Sequence, residues 1–445
     1  MAFVITLTAM VAVALIAVIL INPVIKVGRF SVHIIYWFVP LLGALVLLLG
    51  GLLSPGEVFN GLTSSGNINP LKILVLFISM TVLSIYLDEA GMFRFLAGIA
   101  LKKARSSQIK LFIYLYVMVS VLTVFTSNDI IILTFTPFIC YFSKNAKINP
   151  MPFLFTEFVA ANTWSMMLII GNPTNIYLAG SAGMTFFGYT SVMALPTLLA
   201  GLGAFLLLYL SFRKDLSKPL SIEADDYKIE NPVLMWIGVA HLGICTVLLV
   251  LSSYIGLEMW YITLGFAVSL FICSGIAQFM QKKEINRSPA PGTEHILIHT
   301  LRRAPWELIP FVLSMFLIVL SLNKYGVTAV IADAFGDSLV LLKYGIASFL
   351  TANLVNNIPM SVAFSSITSH LAGEGNAYLK AVFAAIVGSN LGALFTPIGA
   401  LAGIMWSSIL KRFGIEFTFG KFVKYGAPIA LGSLALAILG LWLVL

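Results

Sequence analysis

The segment VFTSNDIIILTFTPF, residues 124–138, places four polar side chains in a row within an apolar stretch: Thr126, Ser127, Asn128 and Asp129. An ionisable residue at membrane depth is costly and usually functional. Asp129 could take up a proton on one side of a membrane and release it on the other. It could instead neutralise Na⁺, with Ser127, Asn128 and freed carbonyl groups completing an oxygen shell. The simpler interpretation is that Asp129 caps a helix, since Asp is a preferred N-cap residue.

Three further apolar segments are interrupted by polar, glycine or proline residues: GNPTN at 171–175, TANLVNNIP at 351–359 and FTPIGA at 395–400. Pro173 and Pro397 each remove a helix hydrogen bond. Within hydrocarbon the freed backbone groups need partners, so such breaks are tolerated only where protein covers them or where they line a wet cavity. Freed carbonyls can coordinate a cation, and exposed helix N-termini can face an anion or a polar neutral solute.

These four breaks supply the candidate site residues. The predicted substrate-binding side chains are Asn128, Asn172, Thr174, Asn175, Asn356, Asn357, Asn390 and Thr396. The predicted ion-coupling side chains are Ser127, Asn128, Asp129 and Asn357. A purely structural role is the alternative, because Pro and Gly are common in membrane helices and Asn can join helices by hydrogen bonds. The pairing of the breaks, two in each half of the chain, favours binding.

The composition around these breaks is that of a membrane protein. Of 445 residues, 60% are hydrophobic and only 10% are charged, whereas soluble domains carry about a quarter charged residues. We predict an all-α integral membrane protein with about 10 transmembrane helices and two re-entrant hairpins. The net charge of +8 is explained by basic residues at helix ends, so we expect no nucleic-acid partner. The predicted location is the inner (plasma) membrane, as a multi-pass protein in the lipid bilayer.

The hydrophobic pattern sets the positions of the helices. Spans are predicted at 3–23, 33–53, 71–88, 152–182, 186–212, 233–253, 258–280, 306–323, 377–410 and 426–445, with hairpins at 108–143 and 338–370. The basic segments 89–107 and 415–424 are predicted to be interfacial amphipathic helices. Glu157 lies near the start of its span, and Asp88 and Glu89 end another, so we expect these acids to reach the interface or the solvent.

The basic residues orient the chain. If 108–143 and 338–370 enter and leave on one side, 22 of the 26 Lys and Arg lie in cytoplasmic segments, and only Lys72, Lys324, Lys343 and Lys380 lie outside. Such a bias follows the positive-inside rule. Both chain termini are then predicted to face outside.

The same layout predicts two inverted-topology repeats. Residues 1–212 form the first repeat and residues 233–445 the second, with the cytoplasmic linker 213–232 between them. The sequence VLFISMTVLSIYLDEAG (75–91) weakly echoes FVLSMFLIVLSLNKYG (311–326). Inverted repeats with discontinuous helices are typical of secondary transporters, which bind their substrate near the bilayer midplane.

These motifs resemble those of a known group. SNDIIILTFTP resembles the first hairpin of arsenite efflux permeases (ArsB type) and of their Na⁺/H⁺ antiporter relatives (NhaD type), and NNIPMSV resembles the tip of their second hairpin. GSNLGALFTPIGALAGIMW, 388–406, is similar to the permease segment that ends in Pro-Ile-Gly and an apolar run to Trp. Two features differ: GNPTN resembles the breaks of other anion-permease relatives, and Asn390 stands where arsenite permeases have an acid.

The resemblance covers nearly the whole chain and implies membership of the ion transporter superfamily. It implies two inverted repeats, a scaffold part, a moving transport part and a homodimer. It assigns Asn128 and Asp129 to the first hairpin motif, and Asn356 and Asn357 to the second.

Three functions are considered from these features. The first is arsenite or antimonite efflux coupled to protons, because neutral As(OH)₃ presents hydroxyls that suit Asn, Ser, Thr and backbone groups. The second is a Na⁺- or H⁺-coupled symporter of a small carboxylate or inorganic anion. The third, a membrane enzyme, lacks a metal-ligand cluster in the sequence, so we expect no enzyme and no cofactor, with H⁺ or Na⁺ as the coupling ion. No ATP-binding loop is present, so a pump in an arsenic operon would need a separate ATPase subunit as partner.

Overall fold

The computed structural model describes residues 1–21, 24–27, 30–33, 36–63, 69–104, 106–220, 229–284, 295–373, 375–415 and 417–445. The helices of the first half are α1 Ala2–Ile21, α2 Phe38–Leu49, α3 Pro55–Thr63, α4 Pro70–Glu89, α5 Met92–Ala104, α6 Gln108–Phe125, α7 Asn128–Asn145, α8 Met151–Trp164, α9 Pro173–Ser181 and α10 Phe186–Leu216. Those of the second half are α11 Pro232–Ile255, α12 Met259–Glu284, α13 Ile296–Arg303, α14 Leu308–Lys324, α15 Val327–Phe335, α16 Val340–Val355, α17 Asn357–Ser369, α18 Asn376–Gly392, α19 Leu401–Arg412 and α20 Phe419–Val444. A short antiparallel hairpin pairs β1 Val24–Val27 with β2 Phe30–His33.

The helix starts follow from local sequence. Asn69 caps α4, since its side chain accepts hydrogen bonds from the backbone N–H groups of Leu71 and Lys72. Asn231 caps α11 in the same way, and in both helices a proline fills the first position, where its missing N–H costs no hydrogen bond. These caps set where the apolar spans begin.

An all-α membrane protein is confirmed. Within the described residues, seven helical stretches are long and apolar enough to cross a bilayer: Pro70–Glu89, Gln108–Phe125, Phe186–Leu216, Pro232–Ile255, Met259–Gln281, Ile296–Lys324 and Phe419–Val444. The predicted spans 152–182 and 377–410 are each divided into two shorter helices, α8 with α9 and α18 with α19.

Two segment predictions were wrong. The predicted span 33–53 is a helix only from Phe38 to Leu49, because the chain before it pairs as the β-hairpin. Residues 415–424 do not form a separate interfacial helix. The long helix α20 already begins at Phe419, where Thr418 caps it by accepting from the Lys421 N–H.

The helix order of the first half recurs in the second. Each half has two helices, a short helix, a span, another short helix, a hairpin, a broken span and a final helix. The packing also recurs, since α6 lies against α8 as α16 lies against α18. Across the halves, α7 packs on α19 and α17 packs on α9, and the two final helices α10 and α20 pack on each other. The opposite orientation of the halves stays a prediction.

Three of the four lysines that the sequence assigned to the outside have local partners in the structure. Lys72 on α4 pairs with Glu258 at 2.6 Å, and Lys324 on α14 pairs with Glu57 at 2.7 Å. The hydrogen bond from Lys324 is the main reason why the pKa of Glu57 falls to about 2. Lys343 donates to the Phe335 carbonyl at the end of α15. Each of these lysines therefore has a local partner that accounts for its exceptional position.

Segments that the sequence assigned to the cytoplasm contact one another. The Leu220 N–H donates to the Ser106 carbonyl, and Asn149 donates to Asp215. The structure describes the linker only at 213–220 and 229–232; its residues 221–228 and the loop residues 285–294 lie outside the described ranges. These contacts join three of the segments that the charge pattern placed on one side, 89–110, 143–151 and 213–232. That this side faces the cytoplasm stays a prediction.

Asp88 was expected to be solvated, and this was wrong. Its side chain is buried at the end of α4, where Arg303 of α13 contacts it at 2.7 Å. Arg303 also binds Glu89. This ion pair fastens α13 to α4.

Candidate functional site

The first hairpin turns where the sequence predicted. α6 ends at Phe125 and α7 begins at Asn128, so Thr126 and Ser127 form the tip. The side chain of Asn128 is buried and donates from Nδ2 to Oδ1 of Asn162 at 3.1 Å. Asn162 lies in the last turn of α8. The tip is therefore attached to the end of the first broken span.

The first break is held by a network of amide side chains centred on Asn390. Asn390 Oδ1 accepts hydrogen bonds from Asn172 Nδ2 at 2.9 Å and from Ser165 Oγ at 3.0 Å. Its Nδ2 donates to Asn175 Oδ1 at 2.7 Å and to the Ile386 carbonyl at 2.8 Å. The end of α18 is thus tied to both sides of the break between α8 and α9.

The remaining polar residues of this break mainly form hydrogen bonds to the nearby backbone. Asn172 caps α9, since its Oδ1 accepts from the backbone N–H and the hydroxyl of Thr174, each at 3.1 Å. Asn175 donates to the Ser165 carbonyl at 2.7 Å. The backbone also approaches closely here, because a Cβ on Gly171 would lie 2.3 Å from the Ser165 carbonyl oxygen.

The second hairpin tip meets the second break. α16 ends at Val355 and α17 begins at Asn357. Asn356 between them has φ 77° and ψ 155°, a backbone region that is essentially restricted to glycine. Its Nδ2 donates to the Ile398 carbonyl at 3.1 Å. Asn357 is buried at the start of α17. Strain of this kind persists only where the surrounding structure enforces it.

Thr396 completes the second cluster. Its hydroxyl donates to Asn353 Oδ1 at 2.6 Å, and Asn353 Nδ2 donates in turn to the Gly392 carbonyl at 3.0 Å. Gly392 follows Asn390 by two residues on α18. The predicted residues therefore form two clusters, one at each break, and the end of α18 connects them. That this set binds a solute stays a prediction.

Two oxygen atoms at the first tip lack partners. Ser127 Oγ and Asn128 Oδ1 are buried and have no hydrogen-bond partner within the parts of the chain that the structure covers. Buried polar atoms are nearly always paired, so an exception indicates a water, an ion or a ligand. These atoms can accept from a solute hydroxyl or contribute to a cation shell.

Asp129 does not cap α7. Ser127 holds the N-cap position, and Asp129 lies in the first turn. No hydrogen bond or ion pair joins its carboxyl to the other described residues. Asp129 instead lines a cavity of about 510 Å³ together with Thr81, Leu401 and Arg303. The cavity reaches from the first hairpin tip to the end of the bundle where Arg303 binds Asp88. The capping interpretation was therefore wrong, and the carboxyl is open to water or an ion.

Three polar residues of these clusters were missed in the sequence: Asn162, Ser165 and Asn353. A signal for the first was available in the internal symmetry. Asn162 and Asn390 each lie three residues before the C-cap of their helix, and each donates to the carbonyl four residues earlier. Aligning the two halves would have paired them.

The described residues hold no group of three or more His, Cys, Asp or Glu side chains arranged to bind a metal ion. The polar groups at the two tips are neutral amides and hydroxyls, with Asp129 as the single acid.

The chain is similar to known membrane transporters over most of its length. A family model described as "CitMHS: Citrate transporter" matches residues 1–388. An arsenical pump membrane protein of Escherichia coli is 27% identical over 368 residues, covering 80% of this chain and 82% of that protein. The arsenical pump membrane protein of strain K12 is 26% identical over 407 residues, covering 86% and 88%. A putative arsenical pump membrane protein of Bacillus subtilis is 24% identical over 414 residues, covering 86% and 88%.

A solved structure shares the fold. The Alcanivorax borkumensis YdaH transporter, whose crystal structure is described as having an unusual topology, aligns with a TM-score of 0.59 at 15% identity. The alignment covers 99% of this chain and 98% of that one. The resemblance to the arsenite permeases and their relatives is confirmed by these matches. The chain belongs to the CitMHS citrate transporter family, and it is a multi-pass membrane transporter of the type that includes the arsenical pump membrane proteins.

Proposed function

We propose that the protein is a secondary transporter that exports arsenite or antimonite in exchange for protons. The observation that carries this proposal is the chemistry of the two hairpin tips. Their polar groups, among the described residues, are neutral amides and hydroxyls and one carboxyl. Arg303, which also lines the Asp129 cavity, is paired with Asp88 and Glu89. Neutral As(OH)₃ offers hydroxyls that can both donate and accept, and it needs no positive charge for recognition. The names of the relatives from Escherichia coli support the same solute class.

Asp129 is the proposed coupling residue. A carboxyl at a re-entrant tip that borders a cavity can exchange a proton with one side of the membrane at a time. The unpartnered oxygens of Ser127 and Asn128 stand immediately before it. The proposed transport cycle alternates solute binding at the tips with protonation of this carboxyl. The proposed location is the inner membrane of a bacterial cell.

The second candidate function is Na⁺- or H⁺-coupled uptake of a small carboxylate or inorganic anion. The family description, citrate transporter, favours it. In this case Ser127, Asn128, Asn357 and Asp129 would form a cation shell that offsets the charge of the anion. A citrate ion carries several negative charges, and the acid at the first tip would oppose it unless Na⁺ or H⁺ is bound first.

The two candidates are separated by transport in everted membrane vesicles. Arsenite, antimonite, citrate and a smaller dicarboxylate are supplied with a pH gradient or a Na⁺ gradient imposed separately. We expect accumulation of arsenite or antimonite when the lumen is acidic, without a Na⁺ requirement. Accumulation of citrate alone would overturn the first candidate in favour of the second. Vesicles without the protein serve as the control.

The proposed assembly is a homodimer, because a transporter that moves one part against a fixed scaffold needs that scaffold anchored. An ATPase subunit is a proposed partner only where the gene lies in an arsenic operon.

A further inference from the structure

Glu157 is a second carboxyl in the membrane-spanning part of the chain, and the proposed site does not use it. It was expected near the interface, but its side chain is 0% exposed in the middle of α8. Its surroundings are aromatic. The rings of Phe158 and Trp406 lie 5.2 Å apart, and those of Phe155 and Trp406 lie 5.8 Å apart. A sealed carboxyl without a cationic partner is buried far more cheaply as the neutral acid than as the anion.

The hydrogen bonds of Glu157 fit a protonated carboxyl. Thr136 Oγ1 on α7 lies 2.9 Å from Oε1 and 3.1 Å from Oε2 of Glu157. A threonine hydroxyl has a single proton to donate, so it can serve only one of these oxygens as donor. The anion would therefore have one shared donor and no cation beside it, so these surroundings favour the neutral acid.

A further hydrogen-bond donor for the ionised Glu157 carboxylate lies on another helix. The indole Nε1 of Trp406 on α19 points toward the Glu157 carboxyl, yet it is buried and has no hydrogen-bond partner among the described residues. A movement of α19 relative to α8 is the change that would let this N–H donate to the carboxyl. The carboxylate would then have two donors, Thr136 and Trp406, and could lose its proton.

A comparison of the two halves of the chain shows that the position matching Glu157 holds no acid in the second half. It lies five residues before Asn162, and the residue five before Asn390 in the second half is Ala385. The matching place in the other repeat therefore packs a methyl group. A carboxyl is thus not required for packing two helices in this arrangement, and its presence in one half points to a separate role.

The two helices beside Glu157, α7 and α19, also border the cavity that Asp129 lines. Thr136 follows Asp129 by seven residues, which is close to two full turns of α7, so both lie on one face of that helix. Leu401 and Met405 of α19 line the cavity beside Asp129, and Trp406 comes next in sequence. The Cys140 thiol on α7 lies near enough to Glu157 for the two groups to interact. No Lys or Arg on the helices packed around it interacts with its carboxyl.

We propose that Glu157 is a second proton-binding site of this transporter. It holds a proton while α19 is docked as in this structure, and it releases that proton to water in the cavity beside Asp129 when Trp406 donates to the carboxylate. This proposal rests on the proposed proton-coupled transport, but its first test needs no transported solute.

The first test is the pH dependence of Trp406 fluorescence in purified full-length protein in lipid nanodiscs. The Trp406 component is the difference between wild type and Trp406→Phe. We expect this component to change with pH in wild type and to lose that change in Glu157→Gln. A Trp406 component that is independent of pH would overturn the proposal, and so would one that still titrates in Glu157→Gln. If Glu157→Gln does not fold, Thr136→Val, which removes the hydroxyl bound to the carboxyl, should shift the pH at which the Trp406 component changes, and an unshifted response would overturn the proposal.

The second test uses antimonite as the probe in everted vesicles. We expect Glu157→Gln to keep solute exchange across the membrane and to lose accumulation driven by the pH gradient. Glu230→Gln, which removes an exposed acid beside α11, should accumulate antimonite as wild type does. Unchanged pH-driven accumulation in Glu157→Gln would overturn the proposal. If wild type moves no antimonite, the proposed solute is wrong, and the fluorescence test still decides the role of Glu157.

Discussion

Asn390 and Asn172 come from opposite halves of the chain and are joined by a hydrogen bond of 2.9 Å. The first ends α18, and the second caps α9 at the break of the other broken span. Because Asn390 also bonds to Ser165 and Asn175, the two broken spans are fastened to each other at their centres. Because this network joins α18 to α8 and α9, these three helices are expected to move together during transport.

Replacing Asn390 by Ala should lower the stability of the protein markedly. The change leaves Ser165, Asn172 and Asn175 without a shared partner, and each unpaired buried group costs about 1–3 kcal/mol. Thermal unfolding in detergent measures the effect. Asn376→Ala is the matched control, because its amide lies at the exposed start of the same helix. Equal melting temperatures for the two variants would show that the Asn390 network does not hold the breaks together.

Replacing Gly171 by Ala should also destabilise the first break. The added Cβ would lie 2.3 Å from the Ser165 carbonyl oxygen, and relief of such overpacking costs about 1–3 kcal/mol. Gly265→Ala on α12 is the control, since a Cβ there meets nothing within 4 Å. Thermal unfolding of both variants checks this. If Gly171→Ala has the same melting temperature as the control variant, the break is loosely packed.

The side chain of Asn356 is predicted to contribute to transport, although the residue holds a strained backbone conformation. Asn356→Gly removes the side chain in a conformation that glycine adopts freely. We expect the melting temperature to hold or rise while transport falls several-fold, since one good hydrogen bond contributes on the order of 1 kcal/mol. Asn356→Ala keeps the strain and should lose both. Full transport by Asn356→Gly would remove this tip from the proposed site.

The membrane orientation is tested by cysteine labelling in intact cells. The native Cys140 and Cys245 are buried, and the exposed Cys273 is first replaced by Ser. A cysteine at Leu257, which is 51% exposed at the predicted outer end, should react with a membrane-impermeant reagent. A cysteine at Lys218 should react only after the cells are opened. The reverse pattern would contradict the positive-inside assignment.

Much of this fold can be predicted from the sequence, because the residues that break its helices act on their immediate neighbours in the chain. Pro173, the TSND tip and the NNIP tip each break a helix by rules that act within a few residues, and the structure has breaks at all of them. The β-hairpin before α2 carries no such signal. Asp88 was judged by its place at a helix end, whereas its burial depends on Arg303, more than two hundred residues away.

The site was predicted less completely for the same reason. Asn172, Asn175 and Asn390 were identified as polar residues at breaks, but their mutual hydrogen bonds connect distant parts of the chain. Asn162 and Asn353 lie inside helices, where a single Asn resembles many structural residues. Only the fold brings Asn162 to the first tip and Asn353 to Thr396.

Asp129 carries the central claim of proton-coupled export, and Asp129→Asn keeps its size while removing its charge. The variant should reach the membrane in normal amounts, because Asp129 does not cap α7. It should bind solute but fail to couple solute movement to protons. Asp129→Glu, which retains an acid, is the control and should keep part of the coupling.

The most direct measurement is the lumen pH of everted vesicles after antimonite is added. The lumen is first acidified by respiration and followed with a pH-sensitive dye. Export into the lumen in exchange for protons should make the wild-type lumen more alkaline, whereas Asp129→Asn vesicles should show no change. A wild-type lumen pH that stays constant while antimonite accumulates, or an equal response in Asp129→Asn, would contradict the account.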